Sequence, residues 1–156
     1  MGFNLLKQKE ARRKFKRIDN YASVSRGVRR GWDKLFFPED SMASQIEPQY
    51  IKSVYKTAKG SDYYDVNPED AAFCCDKSLN ELYGAGHLGA YKWIKRFENA
   101  TNEKGKPLSQ VLARGNLLWY EMSAEPLATF ALSINPDRKI CFFKFSKPSF
   151  VNQRLI

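Results

Sequence analysis

A chain of 156 residues, 43% hydrophobic and 14% aromatic, is the size of one domain that buries roughly 70% of the surface its unfolded form exposes, and it is too apolar for global disorder. No run of about 18 consecutive apolar residues occurs, which excludes an ordinary membrane-spanning helix. The net charge of +9 is concentrated at one end: residues 1–36 hold eleven basic and three acidic side chains, or +8, whereas residues 37–156 hold fifteen basic and fourteen acidic, or +1. This divides the chain into a basic segment, 1–36, and one compact body, 37–156.

The opening MGFNLLKQKEARRKFKR places its charges after a very short apolar start, the reverse of a secretory signal. Leu6 stands where the N-myristoylation pattern needs Ser or Thr. Three cysteines are an odd number, and the neighbours Cys74 and Cys75 could form a disulfide only under strain. The expected location is therefore intracellular and cytoplasmic, in a reducing compartment.

Within the basic segment, Ala11, Phe15, Ile18, Ala22, Ser25, Val28, Trp32 and Leu35 follow at steps of three or four, which predicts a cationic amphipathic helix. Asp19-Asn20, Gly27 and Gly31 weaken it, so the expectation is two helices broken near 19–21 or one bent helix. DSMASQIEP reads as a loop. PQYIKSVYKTAKG predicts a short helix, with Ile51, Val54, Tyr55 and Ala58 on one face and a stop at Gly60. Asn67-Pro68-Glu69-Asp70 predicts a helix start, because Asn can cap, Pro suits the first turn and carboxylates meet the positive end of the dipole. The helix it opens would carry Ala72, Cys75, Leu79 and Leu82 on its buried stripe and end at Tyr83-Gly84.

A further helix is expected over His87–Asn99, with Ala90, Trp93, Ile94 and Phe97 inward and Lys92, Lys95 and Arg96 outward. TNEKGKP is a loop and LSQVLARG a short helix. LLWYEM, LATFALSI and KICFFKF then read as strands, the last two joined by a turn at Asn135-Pro136-Asp137-Arg138. The predicted fold class is α+β: N-terminal helices, the basic amphipathic segment first, followed by a small C-terminal antiparallel sheet.

Residues 84–89, GAGHLG, match the letters of a dinucleotide-binding fingerprint. That chemistry needs a buried strand to deliver the chain to the glycine turn. Here CCDKSLNELY precedes Gly84 and lacks a Val/Ile run, so the motif predicts a corner between helices, ended by Gly84 or Gly86 and packed closely at Gly89. His87 is the only histidine. Pairing it with Cys74 or Cys75 as base and nucleophile conflicts with a mid-helix Cys75 on an apolar stripe. Cys74, one position off the stripe, is expected to reach solvent. Zinc lacks a ligand set, and no cofactor or catalytic residue is assigned. A metal-independent nuclease built from Lys, Arg, Tyr and Glu leaves no spacing signature and stays as a further alternative.

The feature that points to a partner is the charge. Eight excess positive charges in a quarter of the chain repel one another unless something negative is nearby. The expectation is a small binding protein whose N-terminal segment contacts the phosphates of DNA or RNA, which charge density does not distinguish. Arg12, Arg13, Lys16, Arg17, Arg26, Arg29 and Arg30 are the candidate contacts, with Trp32 packing the segment onto the body or stacking on a base. The alternative is an assembly subunit or regulator that docks this helix onto a partner protein or another copy. A merely solvated basic face is the bland reading set beside these, and an anionic lipid surface is held lower because Ala and Ser thin the apolar stripe.

Overall fold

The computed structural model describes Arg17, residues 20–28, 30–56, Pro68, 70–132 and 142–152. In chain order these form the short helices α1 (Asp33–Phe36) and α2 (Asp40–Ala43) and a 3-10 turn at Pro48–Tyr50. Strands β1 (Ile51–Tyr55) and β2 (Asp70–Phe73) come next, followed by helices α3 (Leu79–Gly84), α4 (Leu88–Lys95) and α5 (Leu108–Val111). Strands β3 (Ala128–Leu132) and β4 (Phe142–Val151) close the order. The class is α+β. The sheet has four strands in the order β2-β1-β4-β3 and is mixed, because β1 pairs antiparallel with β2 but parallel with β4.

Over 48–55 the expected helix is instead the 3-10 turn and strand β1, while Ala58 and the stop at Gly60 lie outside the described residues. Val54 and Tyr55 are both buried, on opposite faces of the sheet: Val54 joins the main core with Leu35, Phe36, Phe73, Leu82, Ile94 and Phe150, and Tyr55 joins a second cluster with Ala131, Phe143, Phe145 and Val151. β4 repeats this, since Val54 pairs with Phe150 and Tyr55 with Val151. A central strand covered on both faces loses the polar alternation that identifies a strand in sequence. Over five residues its apolar spacing matches a helical stripe.

The helix expected to open at Asn67, itself outside the described residues, is a strand over Asp70–Phe73 and becomes helical only from Leu79. Ala72, Phe73, Cys74 and Cys75 are consecutive and all buried, a pattern no amphipathic helix produces. The Cys74 N–H donates to the Tyr50 carbonyl at 2.8 Å, continuing the β1–β2 pairing. The true helix start is Ser78, whose hydroxyl accepts from the Glu81 N–H while the Glu81 carboxylate accepts from the Ser78 N–H, a reciprocal capping box. Tyr83-Gly84 ends the helix as expected. α4 also forms as expected, burying Ala90, Trp93 and Ile94. The Trp93 indole donates to the Leu35 carbonyl at 3.0 Å.

LLWYEM is not a strand. It turns at 119–120 and buries Tyr120 and Met122, with the Tyr120 hydroxyl donating to the Lys77 carbonyl. β3 and β4 form the expected antiparallel pair, while the turn at 135–138 lies outside the described residues. β4 is long because it serves two partners: Phe142–Lys144 face β3, and after an irregularity that contains Pro148, Phe150–Val151 face β1. Proline is tolerated there because the ladder needs no N–H at that point.

Candidate nucleic-acid interface

The basic segment does not form one helix. Tyr21 is in a turn, residues 22–27 have no regular structure, and Val28 makes a parallel bridge with Asn152 at the end of β4. The Val28 N–H donates to the Val151 carbonyl at 3.1 Å, while the Asn152 N–H donates the other way, to Tyr55 of β1. The segment thus takes the side of β4 that β3 has vacated. Gly27 makes this approach possible, because a Cβ at that position would lie 2.2 Å from the Asn152 carbonyl oxygen. The helical stripe through Ala22, Ser25 and Val28 is overturned by this backbone pairing, which satisfies groups that a helix would have satisfied internally.

The predicted contact residues separate by burial. Arg12, Arg13, Lys16 and Arg29 lie outside the described residues. Arg17 and Arg26 are exposed. Arg30 is 6% exposed, and its guanidinium Nη2 donates to the carbonyls of Leu112 at 3.1 Å, Leu118 at 3.1 Å and Trp119 at 3.4 Å. Burial and Arg114 lower its pKa, and Glu121 opposes them. A guanidinium spent on three main-chain carbonyls ties α1 to the loops after α5 and is not presented to a phosphate. Trp32 packs half-buried against the main core, its Nε1 enclosed without a hydrogen-bond partner. It anchors the segment on the body, the packing role expected of it. With Leu35 and Phe36 fully in the core and Val28 paired to β4, Gly27 onward is joined to the body; residues 1–26 hold eight basic and two acidic side chains, or +6.

The near-neutral charge of the rest of the chain is a cancellation. Residues 37–126 hold ten basic and thirteen acidic side chains, or −3, and residues 127–156 hold five and one, or +4. At the β2 edge, Glu39, Asp40 and Asp70 line a pocket of about 370 Å³ with Lys56, whose ammonium sits 5.0 Å over the Phe37 ring. β4 carries Lys144 and Lys147, both exposed. The basic segment joins the sheet at the C-terminal end of β4, next to Tyr55 of β1. Another cationic face, on α4, is partly neutralised, because Lys95 pairs with Glu98 at 2.8 Å and Arg96 lies over the Trp93 ring.

The glycine motif is a corner between α3 and α4, as the residues before it imply. Gly86 turns the chain with φ +74°. Gly89 packs against the loop after α2, where an added Cβ would be 2.3 Å from the Gln45 carbonyl oxygen. The N–H groups of Gly89 and Ala90, which a fingerprint would aim at a pyrophosphate, both donate to the Glu47 carboxylate at 2.8 Å. Burial raises the Glu47 pKa, but these two bonds outweigh it and the net shift is downward. His87 Nδ1 is 2.8 Å from the Tyr50 hydroxyl and Nε2 is 3.2 Å from the Gln49 amide. These contacts fix the ring inside the corner.

Both described cysteines are buried, and the expected exposure of Cys74 is overturned because strand and loop, not helix, carry it inward. Burial pushes the Cys74 thiol up to about 12 and the Cys75 thiol up to about 11, which leaves both protonated and unreactive at neutral pH. Among the described residues no cluster of His, Cys, Asp and Glu could hold a metal ion, and no helix is long and apolar enough to cross a membrane. The sequence matches no protein-family profile, no curated protein and no solved structure.

Proposed function

We propose that this protein binds nucleic acid by contacting phosphates through its basic N-terminal arm, residues 1–26. The observation that carries the reading is the placement of charge: +6 within residues 1–26, with Arg17 and Arg26 exposed, while Arg30 is taken into the body. Phosphate contact by long basic side chains requires charge density more than fixed geometry, so it does not depend on the helix expected from the sequence. Arg30 and Trp32 belong to the scaffold in this reading. With about five basic residues on phosphates, log K falls with log salt at a slope of about −4 to −5 on duplex DNA. Deleting residues 1–26, and not 1–36, leaves the core residues Leu35 and Phe36 in place and reduces that slope toward zero. A flat salt response from the full chain, or undiminished binding without the arm, refutes the proposal.

A second reading is favoured by one observation: Tyr21 and Val24 on the same segment are 70% and 56% exposed, as on a segment that docks onto a partner protein. Salt-insensitive capture of a protein partner that requires Tyr21 and Val24 would establish it instead.

A further inference from the structure

β3 forms one edge of the sheet, and its pairing with β4 sorts their side chains onto two faces. Ala131 pairs with Phe143, and these point inward with Phe145 to the cluster around Tyr55. On the outward face Phe130 stands directly opposite Lys144 and Leu132 opposite Phe142. Phe130 and Phe142 are each 60% exposed, and as diagonal neighbours they sit roughly 7–8 Å apart. Two phenyl rings open to water on one small sheet face exceed what isolated surface apolar residues explain.

What surrounds them names the chemistry of the occupant. Lys144 stands directly opposite Phe130 and two positions along β4 from Phe142, so its exposed side chain neighbours both rings on the same face. An apolar protein surface would leave the Lys144 ammonium group without an anionic partner. A single-stranded nucleic acid satisfies both features, because each exposed base offers a flat π-face to a ring while a phosphate meets the cation. A duplex hides those base faces by its own stacking. Sheets that read single strands use this combination of exposed aromatics and basic side chains.

We propose that the outer face of the β3–β4 hairpin is a stacking platform for single-stranded nucleic acid, with Phe130 and Phe142 each receiving one base and Lys144 the phosphate between them. The inference rests on the nucleic-acid reading above and adds a second site to the arm, one that selects unpaired strands.

The test measures anisotropy of labelled 15-mers of oligo(U), oligo(dT) and a mixed duplex with the full chain, with F130A/F142A and with F130L/F142L. The leucine pair keeps apolar area and fold but removes the ring faces, and circular dichroism melting confirms folding of each variant. Each lost stack weakens single-strand binding about 5- to 150-fold. Both double variants should therefore lose at least about 25-fold on the two single strands and less than about twofold on duplex, with the salt slope on duplex unchanged. Equal loss on oligo(U) and oligo(dT) places recognition in the bases; loss confined to oligo(U) or to oligo(dT) still supports the platform and adds a sugar contact. Full-strength single-strand binding by F130L/F142L overturns the platform while leaving the arm intact. Binding of neither form of nucleic acid by the full chain overturns both. If sedimentation shows a dimer that both variants dissociate while their single-strand affinity is unchanged, the face joins two copies of the chain and the proposal is wrong.

Discussion

The three glycines of GAGHLG should respond to alanine in three different ways, because the corner uses each for a different physical reason. At Gly84 an added Cβ meets nothing within 4 Å and the residue lies in α3, so Gly84→Ala restricts the unfolded chain and stabilises by about 0.4–1 kcal/mol. At Gly86 there is equal space, but φ is +74°, and a side chain in the left-handed region costs about 1–2 kcal/mol. Gly89 is the decisive position. Its Cβ would stand 2.3 Å from the Gln45 carbonyl oxygen and 3.0 Å from the Ile46 Cα, both backbone atoms that cannot rotate away. Carbon and oxygen tolerate about 3.3 Å, so α4 and the loop after α2 must part by about 1 Å. That movement lengthens the two bonds from Gly89 and Ala90 to Glu47, each 2.8 Å and each of the charged type that contributes about 1.5–3 kcal/mol. The helix-propensity gain of about 1 kcal/mol does not offset this, and Gly89→Ala should cost about 2–4 kcal/mol. Urea unfolding followed by tryptophan fluorescence gives the order of midpoints: Gly84→Ala above wild type, then Gly86→Ala, then Gly89→Ala lowest, with m unchanged. A Gly89→Ala protein as stable as wild type would show that the close approach does not hold this corner.

The two kinds of arginine separate in the same assays. Arg30→Ala removes the donor to three carbonyls and should cost about 2–4 kcal/mol while leaving the salt slope of binding as it was, and Arg30→Lys should not rescue it because one ammonium does not reproduce the fork. Arg26→Ala should change stability by less than about 0.5 kcal/mol and reduce the salt slope by about 1; interchanged outcomes would refute the division. Native Cys74 and Cys75 should both resist a thiol reagent at pH 8 and react on unfolding. Since their folded pKa values of about 12 and 11 exceed the ordinary 9.0, their contribution to stability is full below pH 9 and declines as pH rises toward those values. Fast labelling of native Cys74 would contradict its burial. Glu47 has a folded pKa below its ordinary 4.5, so its stabilisation is complete above that pH and is lost as pH falls through the folded value. Glu47→Gln should therefore lower the urea midpoint at pH 7 by an amount that shrinks below pH 4.5, and a difference that grows on acidification would refute the assignment.

The sequence by itself determined the features whose causes are local. The concentration of charge in the first quarter is a property of composition. The α4 helix carries its own 3.6-residue stripe in Ala90, Trp93 and Ile94. The corner at 84–89 follows from glycine conformation and from the missing Val/Ile run before it. The β3–β4 pairing was legible because Ala131, Phe143 and Phe145 alternate with exposed Phe130, Phe142 and Lys144. The Ser78-x-x-Glu81 capping box was also written locally, but the stronger-looking Asn67-Pro68 signal concealed it.

Tertiary structure decided the rest, wherever a segment's conformation depends on what covers it. β1 reads as helix in isolation and becomes a strand because β2 and β4 take its main-chain groups on both edges, and because two clusters bury Val54 and Tyr55 on opposite faces. Cys74 is inward because β2 follows β1. Arg30, one of seven basic candidates alike in sequence, became part of the scaffold only because the chain returns at Leu112, Leu118 and Trp119 with carbonyls that need a donor. Charge can be counted along a chain. Which charges are left facing outward is set by contacts between residues more than eighty positions apart.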